Sequence, residues 1–138
     1  MNSRLNRELR EKRGYVYTVD SNVSLLSDTG LMMIYFGCDP SNVNKCRRLI
    51  EKEIHGVCSE RLSEKSFDKV KRQYCGQLLA SGDHIENRAM SLGKSVLYYG
   101  NVYDINTTIQ RIMSVTSEDM RTVAEAVFSK GLSTLTLT

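Results

Sequence analysis

The sequence is poor in several things that would decide function early. Its longest apolar run, Leu31 to Phe36, is far below the roughly 20 residues a membrane-spanning helix needs. Residues 1–7 are polar and basic, with no apolar stretch of the kind a secretory signal carries. A soluble, cytoplasmic chain with no membrane contact is the expectation. Histidine is scarce: His55 and His84 stand alone in their segments. His55 and Cys58 could share a helical face, but two donors do not make a tetrahedral zinc site, so no metal site is expected. Cys38, Cys46, Cys58 and Cys75 include no Cys-x-x-Cys pair, and a chain of this size does not need disulfide staples. They are read as reduced, partly buried thiols. Neither Gly-x-x-x-x-Gly-Lys-Ser/Thr nor Gly-x-Gly-x-x-Gly occurs, so nucleotide binding through such a loop has no support. An excess of one charge is missing too: 19 basic residues face 16 acidic ones. Glu8, Glu11, Glu51, Glu53 and Asp68 interleave with the basic residues. That pattern describes solvated helix faces more than a nucleic-acid footprint.

What is present describes a globular chain. The 138 residues, 41% hydrophobic and 25% charged, fit a single domain over 1–138 that buries about two thirds of its surface. Residues 3–13 read as a basic helix with Ser3 as N-cap and Gly14 as its stop. From Tyr15 the period changes to two, placing Tyr15, Tyr17 and Val19 on one strand face and Val16 and Thr18 on the other. The chain turns at Ser27-Asp28-Thr29-Gly30 and returns through Leu31 to Phe36, completing a hairpin over 15–38. The return strand is apolar at successive positions, which predicts cover on both faces. Helices fill 40–128. The first has Asp39 as N-cap and Pro40 at its first position. The second, capped by Ser63, is expected to bury Phe67, Val70, Tyr74 and Leu78. The third, after Ser81-Gly82-Asp83, is expected to bury Ile85, Ala89, Leu92, Val96 and Tyr99. Asp104 caps the fourth, and Thr116-Ser117-Glu118-Asp119 opens the fifth like a capping box. A final strand is expected over 132–138.

This is an α+β pattern, with helices packed on a mainly antiparallel sheet. Three strands against five or six helices leave sheet edges exposed, and such edges invite pairing with another chain. A homodimer through that edge is one expectation.

Several blocks together resemble a known family. They are Ser3-Arg4-Leu5, Leu9-Arg10-Glu11-Lys12-Arg13-Gly14 with Tyr17, Ser27-Asp28-Thr29-Gly30-Leu31 and Tyr35-Phe36-Gly37, then Ser91-Leu92-Gly93, Tyr98-Tyr99-Gly100 and Val115-Thr116-Ser117-Glu118-Asp119. In this order they resemble the pitrilysin/insulinase zinc metallopeptidases, in particular the members similar to mitochondrial processing peptidase. The resemblance implies a peptidase unit of two facing α/β halves. The first half carries His-x-x-Glu-His, whose histidines and a distant Glu hold zinc while the motif's Glu serves as general base. This chain lacks that motif and resembles a truncated form of the second, C-terminal half. The resemblance implies that it is inactive alone, that zinc belongs to an N-terminal half outside this sequence, and that its partners are that half, or a partner subunit, and a peptide substrate. The second half contributes an Arg and a Tyr seven residues apart, here Arg10 and Tyr17. They would bind peptide and support the charge developing on the scissile carbonyl. Tyr15 is the alternative tyrosine, and the spacing selects Tyr17. Outside that motif, an Arg near a helix C-terminus is a dipole and solvent partner, and a strand tyrosine is packing. The competing function is a stand-alone interaction module whose basic helices bind nucleic acid or an acidic protein.

Overall fold

The computed structural model describes residues 3–60, 62–81 and 85–137. The chain packs as two compact units, one of Met1–Glu60 with Ala124–Thr138 and one of Arg61–Val123. Helices and a two-stranded antiparallel sheet make it an α+β chain.

In the first unit, the Ser3 Oγ accepts the Asn6 N–H at 3.1 Å, as an N-cap should. The helix then widens into a π-helix, Asn6–Glu11. Its wider turn is visible where the Lys12 N–H donates to the Arg7 carbonyl at 3.0 Å. Gly14 ends it with φ of +60°, a conformation that costs other residues about 1 kcal/mol or more. Two strands follow, β1 (Thr18–Leu25) and β2 (Gly30–Gly37), paired antiparallel from Thr18 opposite Gly37 to Leu25 opposite Gly30. A 3-10 turn (Pro40–Asn42) leads into α1 (Val43–Ser59).

The core of this unit is the meeting of π-helix, hairpin and α1. Leu9 and Cys46 are wholly inaccessible and pack with Val16 and Ile50, flanked by Val19, Ile34 and Phe36. Val19 lies opposite Phe36, and Ser21 opposite Ile34, so these apolar residues share the core-facing side of the hairpin.

The second unit holds α2 (Glu64–Ser81), α3 (Ile85–Tyr99) and α4 (Ile105–Ser114). α5 (Ser117–Phe128) begins in it and ends in the first unit. The expected caps form. Ser63 Oγ accepts the Ser66 N–H at 3.4 Å, and Asp104 accepts the N–H and hydroxyl of Thr107, each at 2.8 Å. Thr116 and Asp119 exchange reciprocal bonds at 2.9 and 3.1 Å. These bonds hold both carboxyls below the ordinary Asp range. The Lys71 ammonium donates to the carbonyls of Met113 and Val115 at 3.0 and 3.1 Å, so α2 supplies the C-terminal cap of α4.

Several expectations are corrected. No strand forms over 132–137, because the hairpin edges are not paired there; Thr138 lies outside the described residues. β2 is not covered on both faces: Leu31, Met33 and Tyr35 are exposed. Val70 and Tyr74 on α2, and Ile85, Ala89, Leu92, Val96 and Tyr99 on α3, are also exposed rather than inside. Helical periodicity identifies an apolar face but not whether anything packs against it. Gly82, Asp83 and His84 lie outside the described residues.

Two predictions follow from this packing. Lys71→Ala leaves the last carbonyls of α4 without their cation and should destabilise the chain by about 1–2 kcal/mol, measured as a lower urea midpoint; an unchanged midpoint would dismiss the cap. Glu8 concerns pH. Hydrogen bonds from Lys12 and Arg13 pull its carboxyl from the ordinary 4.5 down to about 2. As pH falls, the unfolded chain takes up this proton first, so Glu8's contribution is complete above about pH 4.5 and lost on the way to about pH 2. Glu8→Gln should flatten urea stability against pH in that window, and a slope identical to wild type would refute the assignment.

Candidate functional site

The segment from Glu8 to Tyr17 is where a local cation cluster meets the start of the hairpin. Glu8 collects three of the cations: Lys12 Nζ at 2.6 Å, Arg13 Nη1 at 2.8 Å and Arg7 Nε at 3.6 Å. Arg4 Nε pairs with Glu53 on α1 at 2.9 Å. Arg10 is exposed in the last turn of the π-helix and, among the described residues, has no ion pair. The adjacent Leu9 is wholly buried, which directs Arg10 away from the core. Of the cations in this helix and the two residues after it, Arg10 is the one with no carboxylate partner among the described residues.

Tyr15 and Tyr17 occupy different environments. Tyr15 is half-buried against the core cluster, with the Lys45 ammonium 5.3 Å from its ring centre. Tyr17 is 68% exposed. Its backbone N–H donates to the Gly37 carbonyl at 2.8 Å, and its hydroxyl donates to Asp39 Oδ1 at 2.7 Å. That bond is the main reason the phenol is harder to ionise than an ordinary tyrosine, with partial burial second. Asp39 thus departs from the expected capping role. Its carbonyl starts the 3-10 turn by accepting the Asn42 N–H at 2.9 Å, but its side chain makes no cap bond. Asp39 is the residue that motif reading missed. Its pairing with Tyr17 follows from the strand register, since Thr18 lies opposite Gly37, and an Asp-Pro pair read alone signals only a helix start.

The described residues do not fit a zinc ion. No group of three or more His, Cys, Asp or Glu side chains among them could hold a metal. His55 and Cys58 do share a face of α1, where they line a hollow with Glu51, Ile54, Glu125 and Phe128, but these side chains do not converge as a metal-binding group, and Ser59 Oγ lies 3.4 Å from His55 Nδ1. Burial pushes the Cys46 thiol up to about 11, with Cys38 adding to the effect, the reverse of what a thiolate ligand requires. Among the described residues, no helix is long and apolar enough to cross a membrane.

The model of the peptidase M16 inactive domain matches residues 1–74. An uncharacterized zinc protease of Streptomyces coelicolor is 33% identical over 130 residues, which cover 94% of this chain and 28% of that protein. The uncharacterized zinc protease YmxG of Bacillus subtilis is 25% identical over 130 residues, covering 94% and 32%. The chain thus spans less than a third of the length of these curated relatives. Among solved structures, the periplasmic protease PqqL from Escherichia coli superposes with a TM-score of 0.67 at 17% identity, over 88% of this chain and 14% of PqqL. A chain of Complex III2 from Candida albicans superposes with a TM-score of 0.78 at 16% identity, over 91% and 30%. At those identities the likeness is one of fold. With the family model matching more than half of its length, the chain belongs to the peptidase M16 inactive-domain family, the C-terminal domain of pitrilysin/insulinase-type zinc proteases.

Proposed function

We propose that this chain is the substrate-binding, non-zinc part of a zinc metallopeptidase, with Arg10 and Tyr17 as its contribution to peptide binding. The observation that carries the reading is the isolation of Arg10: of the cations in residues 4–13, it is the one without a carboxylate among the described residues. A free, exposed guanidinium suits peptide carbonyls, to which it can offer several N–H donors in a fixed plane. Tyr17 adds a hydroxyl that a peptide carbonyl takes over from Asp39. As negative charge grows on that carbonyl, the donor gains strength, which is how such a group lowers a barrier. Glu8 and Glu53 draw Arg4, Arg7, Lys12 and Arg13 into ion pairs within the chain, and this weighs against the interaction-module alternative.

Zinc and the general base belong, in this reading, to the N-terminal half with which inactive domains of this family pair. That half would also cover the exposed apolar face of the hairpin. A homodimer through the hairpin edge is the alternative cover, and sedimentation of the purified chain separates the two: a dimer supports self-pairing, a monomer that gains a partner on adding the N-terminal half supports the first.

In the full-length peptidase, Tyr17→Phe should lower kcat by about 10²-fold with little change in KM, whereas Arg10→Ala should act mainly on KM. Unchanged kinetics in both variants would refute the reading. The isolated chain should show no chelator-sensitive peptide hydrolysis; finding such activity would equally overturn it.

A further inference from the structure

Asp39 reaches Tyr17 from a backbone with little freedom. The pairing of Thr18 with Gly37, and the 2.8 Å bond from the Tyr17 N–H to the Gly37 carbonyl, set the two segments side by side. Pro40 disfavours a helical conformation for the residue before it, and Asp39 is extended, with φ of −62° and ψ of 146°. Its carbonyl is engaged by the Asn42 N–H at 2.9 Å. The side chain alone is left to choose a partner, and Oδ1 accepts the Tyr17 hydroxyl at 2.7 Å. Among the described residues no Lys or Arg pairs with this carboxylate, so no cation draws its charge away from the phenol. The bond lies at the surface, where Tyr17 is exposed, and an incoming peptide can reach it without displacing a packed side chain.

We propose that Asp39 is a positioning residue that holds the Tyr17 hydroxyl away from the substrate until negative charge develops on the scissile carbonyl. The inference rests on the role proposed above for Tyr17 and adds when that role begins. A phenol hydroxyl has one proton to donate, so the bonds to Asp39 and to a peptide carbonyl exclude each other. The carboxylate is the better acceptor, because hydrogen bonds to an ionised group are roughly twice as strong as those between neutral groups. In the ground state the neutral carbonyl therefore loses the competition, and Tyr17 stays on Asp39. As the carbonyl becomes an oxyanion the two acceptors grow alike in charge, and the hydroxyl turns from one to the other. No proton leaves the phenol; the same O–H changes acceptor. The bond to substrate is then made in the transition state and not before, which is the condition for raising kcat instead of tightening ground-state binding. This accounts for the effect on kcat, and not on KM, expected of Tyr17→Phe.

Two measurements test this. In the 138-residue chain, ionisation of Tyr17 is read from the ultraviolet absorbance of phenolate, as the difference from the matching Tyr17→Phe variant. Asp39→Asn should move that ionisation to lower pH, because it removes the charge that resists phenolate; an unmoved titration overturns the proposal. In the full-length peptidase, Asp39→Ala should lower KM for a peptide substrate about two- to tenfold, the contribution of one ordinary hydrogen bond newly made in the ground state. Asp39→Asn, whose neutral amide oxygen resembles a peptide carbonyl as acceptor, should fall between Asp39→Ala and wild type. Adding Tyr17→Phe to Asp39→Ala should bring KM back up, a coupling that a merely structural role for Asp39 would not produce. If Tyr17→Phe lowers kcat while Asp39→Ala leaves KM unchanged or raises it, this inference falls and the role of Tyr17 stands. If Tyr17→Phe leaves the kinetics unchanged, the role of Tyr17 falls and takes this inference with it. Should Asp39→Ala fail to fold, the isosteric Asp39→Asn carries both measurements.

Discussion

The burial of Leu9 is the contact on which the first unit depends. Leu9 enters the space between the hairpin and α1 and touches the cluster of Val16, Cys46 and Ile50. Burying a leucine stabilises by about 1.5–3 kcal/mol, and here that gain also fixes orientation. With Leu9 inside, its neighbour Arg10 faces solvent, and the helix must end close by for Val16 to return to the same core. Gly14, in its left-handed conformation, makes that return possible. The Tyr15 N–H closes back onto the Leu9 carbonyl at 2.9 Å. Helix, reversal and strand entry are thus organised around one side chain.

Charge is arranged around the same segment. A run of Arg and Lys on a short helix would repel itself, and Glu8 relieves this by drawing Lys12 and Arg13 to one carboxylate at 2.6 and 2.8 Å. Lying at the edge of the core, partly shielded from water, Glu8 accepts these partners as charge-assisted bonds. The effect is selective. The pairing of its neighbours leaves Arg10 distinct, the one guanidinium of this basic cluster without a carboxylate partner among the described residues.

The apolar residues left on the surface carry a separate message. Leu31, Met33 and Tyr35 on β2 and Ile85, Val96 and Tyr99 on α3 are spaced as core residues yet are exposed. Isolated exposed apolar residues are ordinary, but rows of them along regular elements mark faces built to be covered. This agrees with a chain that spans under a third of the length of its curated relatives. The proposed N-terminal partner half and these uncovered faces are two sides of one physical expectation.

Local chemistry was legible from the residues themselves. Ser3, Gly14, Asp104 and the Thr116/Asp119 box act where their side chains reach backbone groups only a few positions away, and the turn at residues 27–30 needs no distant partner. The alternation of the strands and the apolar faces of the helices were equally readable, because period is a property of one element. What only the tertiary structure decided lies between elements. Periodicity could not say that the faces of β2 and α3 stay open, nor that no strand forms over 132–137. It could not separate Tyr15, packed under Lys45, from Tyr17, exposed and bonded to Asp39, since both were read on one strand face. Asp39 was read as a cap because its nearest possible partners in sequence are helix N–H groups; the antiparallel register brings Tyr17 across to it from 22 positions away. Sequence determines what each segment can form from its own residues, whereas register and packing decide which side chains meet, because those contacts depend on where the chain returns.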